Sequence, residues 1–364
     1  MTTIYLIRHG QAEGNLYRRC HSWHNGLLTG KGREQAKALE QRFQGVHFDA
    51  VYSSDLYRAM ATAGAIYRSR ALPLRVDPNL REIGAGVWED VPWGQLLHDQ
   101  RERLSAFLAC DPGWQVEGSE TFPQVRQRMA ASLTRITATH PEQTVAVISH
   151  GCAIRAALSA FLGMDPADMG QIPLSNNTGV AKLIWENGGF QVEYYNDDSH
   201  LSASDRWRYP TAQSNASSGI PGMERNAIRH RSLILPQEEE LYLNACRDAG
   251  IMPYTFLLNN PDSLLLSLLG DRPAGVIQMD RTRQAEQGAG WLTLLWMDPE
   301  FRGKGLAIQL LGHAICTYRA MGRQLLRLSC PPECQRFRRF CLAHGFTQAD
   351  GQPDVLETYI GLEL

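Results

Sequence analysis

Two stretches of this chain end in the same way, and they constrain its fold more than anything else in it. Ile4-Tyr5-Leu6-Ile7-Arg8-His9-Gly10 and Val145-Ala146-Val147-Ile148-Ser149-His150-Gly151 each run four apolar residues into one polar residue and then His-Gly. An unbroken apolar run of that length reads as a strand buried on both faces, the kind found in parallel sheets covered by helices. The segments between them agree. Ala50–Tyr52 is a third strand candidate. Gly32–Gln44, Leu56–Arg70, Trp93–Cys110, Phe122–His140 and Ala153–Phe161 carry helical patterns. Strands alternating with helices predict an α/β domain.

In open α/β sheets, ligands bind at the carboxyl ends of the strands. Two strands that each end in His-Gly therefore bring two imidazoles to one crevice, and the glycines let the backbone turn sharply beside a ligand. The third strand runs into Ser53-Ser54-Asp55, a good helix start, with Arg58 in the first turn. Helix N-termini attract anions, and an arginine there adds a planar fork of donors. Two arginines and two histidines in one pocket need an anion, and phosphate is the natural one. Taken singly, each histidine reads as an ordinary loop residue; the repeated pattern argues for a site.

The chain has 364 residues, more than one hydrophobic core usually serves. Its 43% hydrophobic and 20% charged residues are those of a globular protein. A net charge of −2 gives no overall attraction to nucleic acid or anionic membrane. No apolar run has the length of a membrane span, and the N-terminus MTTIYLIRHG lacks the pattern of a signal peptide. The 8 cysteines are scattered, which predicts reduced thiols and a cytoplasmic location. The stretch SASDRWRYPTAQSNASSGIPGMERN (Ser202–Asn226) has no apolar period and reads as a linker. It divides the chain into a first domain over 1–201, a linker over 202–227 and a second domain over 228–364.

The first domain resembles the histidine phosphatase, or phosphoglycerate-mutase-like, superfamily. The stretches that carry the likeness are RHGQAEGN (Arg8–Asn15), LTGKGREQA (Leu28–Ala36), YSSDLYRAMATA (Tyr52–Ala63), LREIGAGVWE (Leu80–Glu89), GSETFPQVRQR (Gly118–Arg128) and SHGCAIR (Ser149–Arg155), in family order. The resemblance implies a three-layer parallel-sheet domain and a set of roles. His9 would be the nucleophile that forms a phosphohistidine. Arg8, Arg58 and His150 would hold the phosphoryl oxygens, and Asn15 would add a polar contact. Glu82 would protonate the leaving oxygen and then activate water. Read on its own, Glu82 is as well explained by an ion pair with Arg81. This chemistry calls for no metal. Ala12 and Gly84-Ala85 depart from the family's usual residues. The basic, aromatic segment Tyr17–His24 offers Arg18, Arg19, His21 and Trp23 for a second anionic group, or is a solvated loop. The domain is short for a mutase, which must hold two phosphates and exclude water. A phosphatase acting on a small phosphorylated metabolite is the favoured reading, with a mutase as the alternative.

The second domain changes pattern. Leu241–Ala249, Gly305–Met321 and Gln335–His344 read as helices; Ser263–Leu269, Gly275–Met279, Trp291–Met297 and Leu325–Ser329 read as strands. Between Met297 and Ala307 a strand ends, glycines form a turn and a helix begins. Bare N–H groups at such a place form an anion site. The sequence Arg302-Gly303-Lys304-Gly305-Leu306-Ala307 resembles the acyl-CoA signature of GNAT-type N-acetyltransferases, and Phe340-Cys341-Leu342-Ala343-His344-Gly345-Phe346 resembles that family's late helix. The resemblance implies a smaller α+β domain that binds acetyl-CoA through Met297, Arg302, Gly303, Lys304, Gly305 and Ala307, and transfers an acetyl group to an amine acceptor. Cys341 stands where the family often has the tyrosine that protonates the departing thiolate, and would be the acid here. Trp291–Met297 offers no carboxylate base, so a non-catalytic acyl-CoA-binding module that regulates the phosphatase is the alternative. A zinc site from Cys330, Cys334, Cys341 and His344 competes, but its spacing fits no standard pattern. The oligomeric state stays open.

Overall fold

The computed structural model describes residues 1–203, 205, 220–253 and 262–362, so most of the expected linker lies outside the described residues. At its end, Ile220–Asn226 form a short helix instead. The chain divides into two compact units, Met1–Val91 with Leu96–Met223, and Pro92–Gln95 with Glu224–Leu364.

The first unit is built on a six-stranded sheet: β1 (Thr2–Arg8), β2 (Ala50–Ser53), β3 (Leu74–Val76), β4 (Thr144–Ser149), β5 (Val180–Glu186) and β6 (Gly189–Asp197), in the order β3-β2-β4-β1-β5-β6. The first four strands run parallel, as the apolar runs imply. The last two form an antiparallel hairpin on the edge beside β1. Its turn, Asn187-Gly188, has both residues at positive φ, 53° and 80°. Asn-Gly is the usual signature of such a turn, and it was the cue in the sequence for these two strands.

Alternate residues of the strands face opposite layers. Ile7, Val51, Ala146 and Ile148 join Leu39, Phe43, Ala59, Ala63 and Ile66 from the helices Gly30–Arg42 and Tyr57–Tyr67 in one core. Ile4 and Leu6 point the other way and are equally enclosed. The segment expected as one helix over Trp93–Cys110 is two, Trp93–Asp99 and Arg101–Ala109, because Gln100 leaves helical backbone at φ −140°.

Register matters more than content. In the β1–β4 pair, Arg8 lies opposite Ser149, so His9 and His150 leave the sheet at one level. Ser53 of β2 pairs with Ile148, which brings Ser54 and the start of Tyr57–Tyr67 to the same edge.

The second unit has a seven-stranded sheet: β7 (Ile228–Ser232), β8 (Leu264–Leu269), β9 (Arg272–Asp280), β10 (Ala289–Met297), β11 (Leu325–Ser329), β12 (Thr347–Gln348) and β13 (Val355–Tyr359), in the order β12-β13-β11-β10-β9-β8-β7. All pairs are antiparallel except β10–β11. That parallel pair ends at Leu292↔Leu328, while β10 continues to Met297 and its register against β9 shifts between Leu292 and Leu294. β10 thus parts from β11 halfway along. Among the described residues, no helix is long and apolar enough to cross a membrane.

The approach of the first loop to the second helix leaves no room for a side chain. A Cβ on Gly32 would lie 2.0 Å from the Gln11 carbonyl oxygen. Gly32→Ala should therefore destabilise the first unit by about 1–3 kcal/mol, the usual cost of overpacking, and denaturant unfolding should show the loss. Unchanged stability would mean that the loop and helix separate freely.

Candidate active site

His9 follows β1 and is 5% exposed. Its Nδ1 lies 2.7 Å from the Gly10 carbonyl oxygen. A carbonyl can only accept, so this nitrogen carries the proton. Burial, then the charges of Arg58 and Arg8, push the imidazole well below its ordinary value. The ring is neutral near pH 7, with its lone pair on Nε2, the form that can attack.

His150, fully enclosed after β4, lies 5.1 Å from His9 between ring centres. Its Nε2 is 2.8 Å from Ser54 Oγ, while its Nδ1 is buried with no hydrogen-bond partner. Burial and then the Arg58 charge hold this ring neutral as well. A buried polar atom without a partner is costly, and an oxygen of a bound anion would supply one.

The two arginines are fixed by carbonyl oxygens. Arg8 donates to the Ser175 carbonyl. Arg58 donates to the carbonyls of Ser22 at 2.6 Å and His24 at 3.0 Å. Burial lowers Arg58 to about 10, which leaves it fully charged at neutral pH. The loop Ser175–Gly179 wraps the end of β1: Asn177 Nδ2 donates to the His9 carbonyl at 3.0 Å, and the Thr178 N–H donates to the Arg8 carbonyl at 3.1 Å.

Glu82 lies on the loop after the short turn Pro78–Leu80, and its carboxylate caps the Gly151–Phe161 helix from there. One oxygen accepts from the N–H groups of Ala153 at 2.9 Å and Ile83 at 3.0 Å; the other accepts from Cys152 at 3.1 Å. Arg81 pairs with Asp55 instead. Arg128 donates to the Glu82 carbonyl at 2.8 Å and pairs with Glu120, fixing the loop from below.

Asn15 caps the short helix Glu13–Tyr17 through a 3.0 Å bond from the Ala12 N–H, and its Oδ1 lies 3.5 Å from Asn177. The Tyr17–His24 segment is less uniform than its composition suggests. Arg18 is the left-handed residue that ends that helix. Arg19 makes a two-point ion pair with Asp90. The His21 ring fills a slot where a Cβ on Gly14 or Gly26 would meet it at 2.2 or 2.0 Å. Trp23 is 41% exposed, donates its indole N–H to the Glu82 carbonyl at 2.7 Å, and lies under the Arg81 guanidinium. The sequence reading missed Ser54, Glu89, Ser175 and Asn177. The run Ser175-Asn176-Asn177-Thr178 before an apolar strand was the one cue available for two of them.

Residues 4–198 match the model of the histidine phosphatase superfamily (branch 1). The chain belongs to this superfamily. Residues 229–346 match the acetyltransferase (GNAT) family, and the second unit is a GNAT domain. A probable phosphoglycerate mutase from Proteus mirabilis is 28% identical over 207 residues, covering 56% of this chain and 96% of that protein. The YhfR structure from Bacillus stearothermophilus aligns with a TM-score of 0.53 at 30% identity, covering 55% of this chain and 99% of that one. A mutant phosphoserine phosphatase from Entamoeba histolytica in complex with phosphoserine aligns at 0.50 and 27% identity, covering 56% and 100%.

In the GNAT domain, Gly303 and Gly305 take positive φ, 78° and 69°, and the helix starts at Ala307, two residues later than the sequence implied. Arg302 donates to the Met297 carbonyl at 2.8 Å and pairs with Asp248, so it braces the turn. Lys304 Nζ rests 5.4 Å from the Phe301 ring centre. Cys341 is the buried residue of the Gln335–Ala343 helix, fully enclosed, with its thiol pushed up to about 12 by burial. The suggested zinc quartet is not assembled: among the described residues, the one group with three metal-ligating atoms close together is His21, His24 and Asp90.

His9 and His150 have a consequence for pH. Both rings bind protons less readily folded than unfolded. Stability should therefore fall as pH drops below about 6.5, by about 1.4 kcal/mol per pH unit for each ring, until the folded rings protonate. Nitrogen-15 NMR of labelled histidine should show His9 with its proton on Nδ1 at pH 7 and still neutral at pH 5.5. A charged His9 at pH 5.5 would contradict this electrostatic reading.

Proposed function

We propose that the first domain hydrolyses the phosphate ester of a small metabolite through a phosphohistidine. The observation that carries this is the His9 ring, neutral, with its lone pair on Nε2 and two charged guanidinium groups acting on it. The Nε2 lone pair attacks phosphorus and the ester oxygen leaves. Arg8, Arg58 and the free Nδ1 of His150 receive the charge that spreads over the phosphoryl oxygens. Glu82 gives the leaving oxygen its proton and takes one from the water that then attacks the phosphohistidine. Asn15 and Trp23 serve the rest of the substrate. The relatives' printed names include both a mutase and phosphatases. We favour hydrolysis because the domain is short, and a small phosphorylated metabolite because the solved relatives include a phosphoserine phosphatase.

Brief exposure to substrate should leave a phosphoryl group on His9 that is labile to acid and stable to base. His9→Ala should abolish turnover. Arg58→Ala should cost about a hundred- to a thousandfold in kcat, the scale for losing one transition-state donor. Glu82→Gln should impair alkyl phosphates severely and esters of an acidic phenol much less, since those leave without a proton. Label on another residue, or equal losses on both esters, would overturn the corresponding role.

For the GNAT domain we propose acetyl-CoA binding at the turn Arg302–Ala307, cradled by main-chain N–H groups as Gly303 and Gly305 open the backbone. The burial of Cys341 favours a binding module that reports acyl-CoA to the phosphatase over an N-acetyltransferase acting on an amine. Calorimetry should show acetyl-CoA binding that Gly305→Val abolishes, because a β-branched residue strains a φ of 69°. Lys304→Ala should weaken it only a few-fold. Acetyl transfer to an amine, unaffected by Cys341→Ala, would restore the enzyme reading with a different acid.

A further inference from the structure

We propose that His21, His24 and Asp90 form a binding site for a divalent transition-metal ion, and that the ion braces the loop holding Arg58. The second half rests on the phosphatase reading above. One ligand atom from each residue lies within 4.8 Å of the others. In a tetrahedral zinc site, bonds near 2.0–2.1 Å put ligand atoms roughly 3.4 Å apart, so side-chain rotation of about an ångström closes the set. Two imidazoles and a carboxylate with a fourth position for water suit Zn²⁺, Co²⁺ or Ni²⁺ better than the oxygen-seeking Ca²⁺ or Mg²⁺.

Three features make this more than a chance grouping. His24 Nε2 is buried and has no hydrogen-bond partner, so a ligating nitrogen is already stripped of water. The His21 ring is fixed in a slot that exists because residues 14 and 26 are glycines. Asp90 Oδ1, 4.0 Å from His21 Nε2, accepts from Arg19 Nε at 2.6 Å, and Oδ2 accepts from Arg19 at 3.0 Å. Each carboxylate oxygen has two lone pairs, so Arg19 can orient the carboxylate while Oδ1 keeps one for the ion, as outer-shell partners of metal ligands do.

The loop that would be clamped carries the site. The Ser22 and His24 carbonyls hold the Arg58 guanidinium, and the Trp23 indole holds the Glu82 carbonyl. Glu89 already ties this loop down by accepting from the N–H groups of Trp23 at 3.0 Å and His24 at 2.7 Å. An ion joining His21 and His24 to Asp90 would add a second tie to the same loop.

Untagged full-length protein, stripped with a chelator, is titrated with Zn²⁺ by calorimetry and with Co²⁺ by visible absorption. One equivalent should bind, and the cobalt spectrum should show nitrogen ligation. His24→Gln should weaken binding at least about tenfold, the low end of what even an outer-shell change costs. Asp90→Asn should do the same; since that variant also loses the Arg19 pair, His24→Gln decides if it fails to fold. His9→Ala should bind as the wild type does, which separates this site from the His9–His150 pair. No binding, or binding unchanged in His24→Gln, overturns the site. Zinc should also change kcat/KM for a phosphate ester in the wild type and leave His24→Gln unaffected. Zinc bound at the site with kcat/KM unchanged overturns the brace. A wild type inactive on every phosphate ester sinks the phosphatase reading, while the metal titrations still decide the site.

Discussion

Arg8 and Arg58 are buried beside two imidazoles, and main-chain carbonyls hold both of them. Everything around the first site follows from keeping those charges there. A bare guanidinium loses its hydration on burial and must recover it from dipoles. Here the dipoles are main-chain carbonyls: Ser175 for Arg8, Ser22 and His24 for Arg58. Carbonyls hold the guanidinium groups without cancelling their charge, so the positive field stays available to an incoming anion. Burial first, and then the same field, keeps both imidazoles neutral, the state in which one can attack and the other can donate. A carboxylate in direct contact with either arginine would offset that charge and weaken the pull on an anion.

That constraint explains which parts of the site were legible in the sequence. His9, His150, Arg8 and Arg58 stand at strand ends or in a first helical turn, where period and punctuation locate a residue in space. The Tyr17–His24 segment has neither. Its basic composition suggested free cations, but Arg19 is spent on Asp90, seventy-one positions away, and a pairing at that range leaves no local mark. The loop Ser175–Gly179 was hard to see for a related reason: apart from the Asn177 side chain, it holds the end of β1 through main-chain groups, which any residue carries. Glu82 shows the opposite error. Its neighbour Arg81 invited a local ion pair, yet the carboxylate turns to the start of the helix at Gly151, because the N–H groups of Cys152 and Ala153 lie there without internal partners.

In the GNAT domain the lost information is of another kind. Four of the seven strands and the three longer helices were read within a few residues, while β7, β12 and β13 at the sheet's two ends were not expected. The fate of Cys341 was not legible, because Gln335–Ala343 places it on the helix's buried stripe, and the motif gives its position in the chain but not the side it faces. The separation of β10 from β11 beyond Leu292 is likewise a property of pairing, which no single strand encodes.

The two proposed sites would meet anions by different physics. The first offers side-chain guanidinium groups, strongly charged and able to follow charge as it moves onto phosphoryl oxygens. The second offers main-chain N–H groups at Gly303 to Ala307, fixed in direction and carrying only partial charge. A fixed cradle binds ground state and transition state alike, so it suits a group that is held while chemistry happens elsewhere. A charged pocket that strengthens its grip as charge develops suits the group that reacts. On this distinction a phosphate held by Arg8 and Arg58 would be the one transformed, and an acyl-CoA pyrophosphate at the proposed Arg302–Ala307 cradle would be a handle.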